Sequence, residues 1–344
     1  MKKSLLLAAA TAASALALVL TACTGPETTA GDSSSAAGAS GKSVWYADVI
    51  DSNPTTVAVA QGMNSVFSKN GVKMTRSLAV DPTTGQLDIG AQSQAITRAI
   101  QSNPAAIAYF MLDPTASRPQ VEQAMTAKIP VFAAFGKPSF DVNAFIALYD
   151  NQQGYTSAKY LASQLQKGDK VAIISGPNVI NVNDEVAGAT KALQEAGMTI
   201  VGNVEQQRNL TDDANGGKTV MQGILQQNPD VKGVFVYNDE TVLGAIAVAK
   251  QAGKNILFTS RNATIDAINA IKAGDLLGTC DIQPVQMGEL LATAIVAEIT
   301  GRKTYTKSEQ IPSPSAEKCM VTKDNVSEWK SPEQLVNYVK IPMG

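Results

Sequence analysis

Residues 43–71 read SVWYADVIDSNPTTVAVAQGMNSVFSKNG. An apolar run gives out at Ile50, six residues that are small, polar or proline follow, and helical spacing then begins without a break. Ser52 or Asn53 would cap that helix, with Pro54 in its first turn and Gly71 as its stop. The stretch is therefore a buried strand that passes through a tight polar turn into a helix.

The same grammar repeats along the chain. Apolar runs AIAYFML, IPVFAAF, KVAIIS, GVFVYND and NILFTS alternate with longer segments whose apolar residues recur at three and four spacing. Continuous apolar strands separated by helices predict parallel sheets covered on both faces. Right-handed crossovers then give open, doubly wound α/β sheets. About five such units precede Tyr149 and about six lie between Lys170 and Asp281, too many for one sheet of ordinary size. Two Rossmann-like lobes joined near Tyr149–Asn151 are expected. The helical segment 286–301 has no strand just before it, so it is assigned to the first lobe. The chain then crosses near Gln283 and again near Ile311–Pro314. The expected division is 44–150 plus 284–312 for the N-terminal lobe and 151–283 plus 313–344 for the C-terminal lobe.

Residues 1–22 have the order of an export signal: Lys2 and Lys3, a short apolar stretch, then Leu20-Thr21-Ala22-Cys23. The apolar stretch falls short of the roughly 20 residues of a membrane span. Leu three before a cysteine, with small residues between, matches a bacterial lipobox, which makes Cys23 the expected lipidation site. Residues 23–43 are rich in Gly, Ser, Ala and Thr and read as a flexible tether. This places the protein outside the cytoplasm, anchored to the outer face of the cell membrane by lipid alone. Cys280 and Cys319 remain, an even pair in an exported chain, and form either a disulfide or two separate buried thiols.

The 344 residues are 44% hydrophobic and carry 28 basic against 30 acidic side chains. Removing residues 1–22 takes away Lys2 and Lys3 and no acid, so the net charge moves from −2 to −4. No basic face for nucleic acid is expected. The chain has no histidine, which removes Ser-His and Cys-His nucleophile pairs and histidine metal sites together. NGGKT at 215–219 has Asp212 where a phosphate loop needs glycine. Neither an enzyme nor a metal or cofactor is expected.

Ligands of open α/β sheets bind beyond the carboxyl ends of the strands. The polar turns there carry Asn53, Asp113, Asp150, Asn183, Asn238, Arg261, Asn262, Asp281 and Gln283. Thr55 sits behind the first of them, and Phe135 and Tyr149 end apolar runs as stacking or core aromatics.

Four stretches resemble the periplasmic sugar-binding proteins of bacterial ABC importers, the ribose- and galactose-binding type. They are NPDVKGVFVYNDETVLGAIAVAKQAG at 228–253, the first Asn-Pro, LDPTAS at 112–117 and VTKDNVSEW at 321–329. The resemblance spans residues 44–330. It implies the type I fold, with two lobes, three hinge crossings and capture by closure. It also implies a monomer that delivers a small sugar or polyol to the importer's permease subunits; a nucleoside, small acid or signalling molecule is the alternative solute. Family binding positions fall on Asn53, Asp113, Asn238, Asn262 with Arg261 beside it, and Asp281 or Gln283. It returns Cys319 to the lobe of Cys280, making them neighbours. Three departures stand out. Thr55 and Thr56 replace aromatics, Phe135-Gly136 replaces an Asp-Arg pair, and Asn183 or Asp184 replaces an arginine.

Overall fold

The computed structural model describes residues 38–81, 83–84, 87–314 and 316–344. The expected export signal, Cys23 and most of the expected tether lie outside them. Five strands come first: β1 (Ser43–Ala47), β2 (Lys73–Ser77), β3 (Ala106–Phe110), β4 (Val131–Ala134) and β5 (Ala144–Ile146). Five more follow: β6 (Lys170–Ile174), β7 (Thr199–Ile200), β8 (Gly233–Val236), β9 (Leu257–Arg261) and β10 (Gly278–Cys280). The chain then returns through β11 (Glu309–Ile311) and ends its strands with β12 (Met320–Thr322).

These make two six-stranded sheets, ordered β11-β5-β4-β3-β1-β2 and β12-β10-β9-β8-β6-β7. Every pairing is parallel except β10 with β12. The two-lobed, doubly wound expectation holds, and the reason shows in β1. Val44 and Tyr46 pack into one core with Val59 and Met63, while Trp45 and Ala47 pack into another with Ile96 and Val121. Alternate side chains thus serve opposite faces of the sheet, each covered by helices.

Helix 284–299 lies on helix 54–69 of the first lobe. The approach is close enough that a Cβ on Gly62 would stand 2.2 Å from the Val285 carbonyl oxygen, and one on Gly288 2.1 Å from that of Val59. β11 extends the same sheet beside β5. In the second lobe Asp281 N donates to Cys319 O at 2.7 Å, and the Cys280 and Cys319 sulfurs are bonded.

Two boundaries differ from expectation. The last tether residues already pack on the body. Gly41 turns with φ +81°, its N–H donates to Gly71 O at 2.9 Å, and Ala39 is buried. Small side chains permit that backbone pairing. The tail, assigned by sequence to the C-terminal lobe, leaves it after Trp329. Val336 packs with Ala58 and Val285, Gln61 exchanges two hydrogen bonds with the Val339 backbone, and Met343 bridges Arg76 on β2. Its apolar residues are too sparse to signal this: Val336 and Ile341 are buried, whereas Leu335, Tyr338, Val339 and Met343 are exposed.

Candidate functional site

The carboxyl ends of the two sheets enclose a cavity of about 80 Å³. Asn53, at the end of the turn that opened the sequence, stands on the first-lobe side. Its Oδ1 accepts from Thr55 N at 2.9 Å, so it caps helix 54–69, and its Nδ2 points across to Asp212 Oδ2 at 3.4 Å. Thr55 and Thr56 follow it into the lining. The Ile50 and Asn53 carbonyls engage Thr56 Oγ1, whereas Thr55 Oγ1 is buried without a hydrogen-bond partner.

The second lobe supplies a carboxylate that the sequence did not single out as a ligand residue. Asp212 Oδ1 accepts from Asn238 Nδ2 at 2.7 Å and from the Tyr237 hydroxyl. Burial raises its carboxyl above the ordinary range, and the hydrogen bonds from Tyr237, Asn53 and Asn238 pull it back. Asp212 has φ +54°, a left-handed turn that aspartate tolerates. Gly176 makes room for the Tyr237 ring, since a Cβ there would lie 2.3 Å from it. Asn238 also caps helix 239–251 through Thr241 N at 3.0 Å. Asp212 sits in an irregular loop between β7 and helix 214–227, not at a strand end. A search of strand ends therefore passes over it.

Arg261 lines the cavity at the end of β9, but its charge is already balanced. Nη1 lies 2.6 Å from Asp150 Oδ1, and Nη2 lies 2.9 Å from Glu185 Oε2. All three residues are buried, and burial raises the Asp150 and Glu185 carboxyls. Asp150 is thus a partner of Arg261 and not a lining residue. Asn262 follows with φ +118°, its N–H held by Cys280 O at 2.9 Å, and lines the cavity.

The first lobe contributes mostly apolar surface. Phe110 and Phe135 stack with centroids 4.1 Å apart at 23°. Val49, Ile50, Leu112 and Leu148 continue the wall. Phe135 holds φ +67°, a strained value for an aromatic residue, which turns its ring onto Phe110. Tyr149 is 43% exposed and outside this lining.

The structure brings together Asn53, Thr55, Phe135, Asn238, Arg261 and Asn262 of the expected set. The others lie elsewhere. Asp113 Oδ1 accepts from Thr115 N, Thr115 Oγ1 and Ala116 N at 2.6–2.7 Å, which lowers its carboxyl and spends it on its own turn. Asn183 bonds Asn178 and Arg208 outside the cavity. Asp281 and Gln283 line a separate groove with Trp329 and Leu335, where Gln283 N donates to Asp281 Oδ1 at 2.7 Å. Sequence reading also left out Phe110 and the leucines of the wall. Among the described residues no group of carboxylates and thiols is arranged to hold a metal ion, and no helix is long and apolar enough to cross a membrane.

Two doubly wound lobes closing polar strand ends around a cavity define a two-lobed binding protein. The chain belongs to the periplasmic binding protein domain family, matched over residues 49–303. This is a family of binding proteins, not of enzymes. The chain is 28% identical over 256 residues to a ribose import binding protein of Bacillus subtilis, covering 73% of this chain and 79% of that one. It is 24% identical over 328 residues to a xylitol-binding protein of Mycolicibacterium smegmatis, covering 92% and 85%. Against other ribose import binding proteins, those of Salmonella typhimurium and Escherichia coli, it spans 63% of their length. Among solved structures, an ABC transporter solute-binding protein of Agrobacterium vitis with bound α-D-tagatopyranose superposes with a TM-score of 0.73 at 19% identity. That superposition covers 87% of this chain and all of the other.

Proposed function

We propose that this protein captures a small sugar or polyol in the interlobe cleft and delivers it, as a monomer, to the permease subunits of an ABC importer. Lipid on Cys23 holds it at the outer face of the membrane. The observation that carries the reading is the two-sided cavity. Asp212 and Asn238 offer acceptors and donors from the second lobe, joined by Asn53 from the first, whose Phe110–Phe135 pair offers an apolar wall. A sugar has the same two-sidedness, with hydroxyls that both donate and accept and C–H faces that prefer aromatic rings. Binding by both lobes favours the closed state through the extra contacts made there.

A thermal-shift panel of sugars, polyols, sugar acids and nucleosides tests it. A ligand present at 100 times its dissociation constant adds about 2.7 kcal/mol of stability. Mass spectrometry after incubation should return the ligand unchanged. Stabilisation by nucleosides alone would favour the second reading, which the flat Phe110–Phe135 wall supports. Lipidation has its own test: Cys23→Ala should release the protein from membranes, and unaltered detergent-dependent attachment would refute it.

A further inference from the structure

Among the described residues, two charged ones line the cavity, Asp212 and Arg261. Arg261 faces both Asp150 and Glu185 and has no positive charge to spare. The Asp212 carboxylate has hydrogen-bond donors, Tyr237, Asn238 and Asn53, and no ion-pair partner within the lining. Neutral donors stabilise a carboxylate without cancelling its charge. Its two donors from the second lobe fall on Oδ1. Oδ2 is approached from the first lobe by Asn53 at 3.4 Å, a long contact. An ionised carboxylate has about four acceptor sites, so Oδ2 retains capacity for ligand hydroxyls. Across the cavity, Thr55 Oγ1 is buried and unpartnered.

We propose, building on the sugar or polyol reading above, that Asp212 determines specificity: its Oδ2 receives the hydroxyls of a neutral polyhydroxylated solute, and its charge turns away the matching acids. Three features act in one sense. A ligand carboxylate would meet a like charge at close range in a small, mostly apolar-walled cavity, where such repulsion is screened less than in bulk water. Arg261 is already balanced by Asp150 and Glu185, and its one unpartnered nitrogen, Nε, is buried. Thr55 and Asn53, the first-lobe groups nearest the helix start, are neutral. A ligand hydroxyl bridging Asp212 Oδ2 and the first lobe would replace the long Asn53 contact, so the residue that reads the solute also joins the lobes.

The test compares D-ribose, D-allose and xylitol with ribonate, allonate and xylonate by titration calorimetry at neutral pH, on wild type, Asp212→Asn and Thr55→Val. Wild type should bind at least one neutral compound and discriminate against its acid by about a hundredfold or more. Asp212→Asn should lose about tenfold or more on the neutral ligand and narrow the gap to the acid. Thr55→Val should weaken the neutral ligand and leave the gap unchanged. Wild type binding the acid as tightly as the neutral compound overturns the proposal, and that comparison needs no variant. So does a folded Asp212→Asn with wild-type affinity and selectivity. Wild type that binds none of the six compounds refutes the sugar or polyol reading itself, and the Asp212 assignment falls with it.

Discussion

Arg261 Nη1 lies 2.6 Å from Asp150 Oδ1, which ties the end of β9 to the first residue of helix 150–163. With Glu185 on its other nitrogen, Arg261 is built into the second lobe. Removing one partner of a buried ion pair leaves the others uncompensated and costs about 3–5 kcal/mol. Arg261→Met should therefore lower the unfolding free energy by about that amount in urea titration. A loss below about 1 kcal/mol would show that Asp150 and Glu185 are neutral without it.

Asn238 and Asp113 occupy similar places in the sequence pattern but different ones in the structure. Asn238→Ala removes a donor to Asp212 and should weaken solute binding by roughly 5- to 150-fold. It should also cost about 1 kcal/mol through loss of the helix cap. Asp113→Ala should leave affinity unchanged, because its carboxylate serves only the turn at 113–116. Calorimetry with the ligand found in the panel checks both. Equal losses would mean that the first lobe swings Asp113 inward when loaded.

Burial raises the Glu240 carboxyl to about 8, with Asp239 and Asp212 adding repulsion. The folded state then keeps a proton that the unfolded chain releases near pH 4.5. This contribution favours folding at low pH and is lost as pH rises from about 4.5 through about 8. Asp239 and Asp281, each raised to about 6 by burial, act in the same direction over a lower range. Glu240→Gln mimics the protonated form. Its melting temperature should match wild type near pH 4.5 and exceed it by several degrees at pH 9. A constant difference across that range would rule out titration of Glu240.

The Cys280–Cys319 bond closes a loop with a sequence separation of 39 between antiparallel neighbours. Replacing both residues by serine should cost about 2–4 kcal/mol. The unreduced, denatured protein lacking residues 1–23 should show no free thiol. Two titratable thiols would contradict the bond.

The fold was legible because its signals are local and repeated, in six continuous apolar runs, helical spacing and stops at Gly or Asn; β2 (KMTRS), β10 (GTC) and β11 (EQI) carry no such run. The site was legible where strand-end chemistry faces the cavity: at Asn53 and Asn238, which also cap helices, and at Phe135, Arg261 and Asn262. Asp113 shows the limit. An aspartate that caps its own turn and one that faces a ligand look alike in sequence, and only its three local hydrogen bonds tell them apart. Asp212 shows the converse, since its place depends on an irregular loop and on Gly176 clearing space for Tyr237. Arg261 stands at a strand end as a ligand residue would, yet Asp150 and Glu185, from two other helices, lie against it.

The returning tail has a practical consequence for anyone wishing to turn this molecule into an optical sensor. Ser43 opens β1 and Met343 bridges β2, so both ends of the described body ride on one sheet. Two dyes attached there would keep a fixed separation whatever angle the second lobe takes, and their energy transfer would be silent. A responsive pair needs one dye carried by the second sheet, and the exposed turn at Gly168, just before β6, offers an attachment point clear of the cavity.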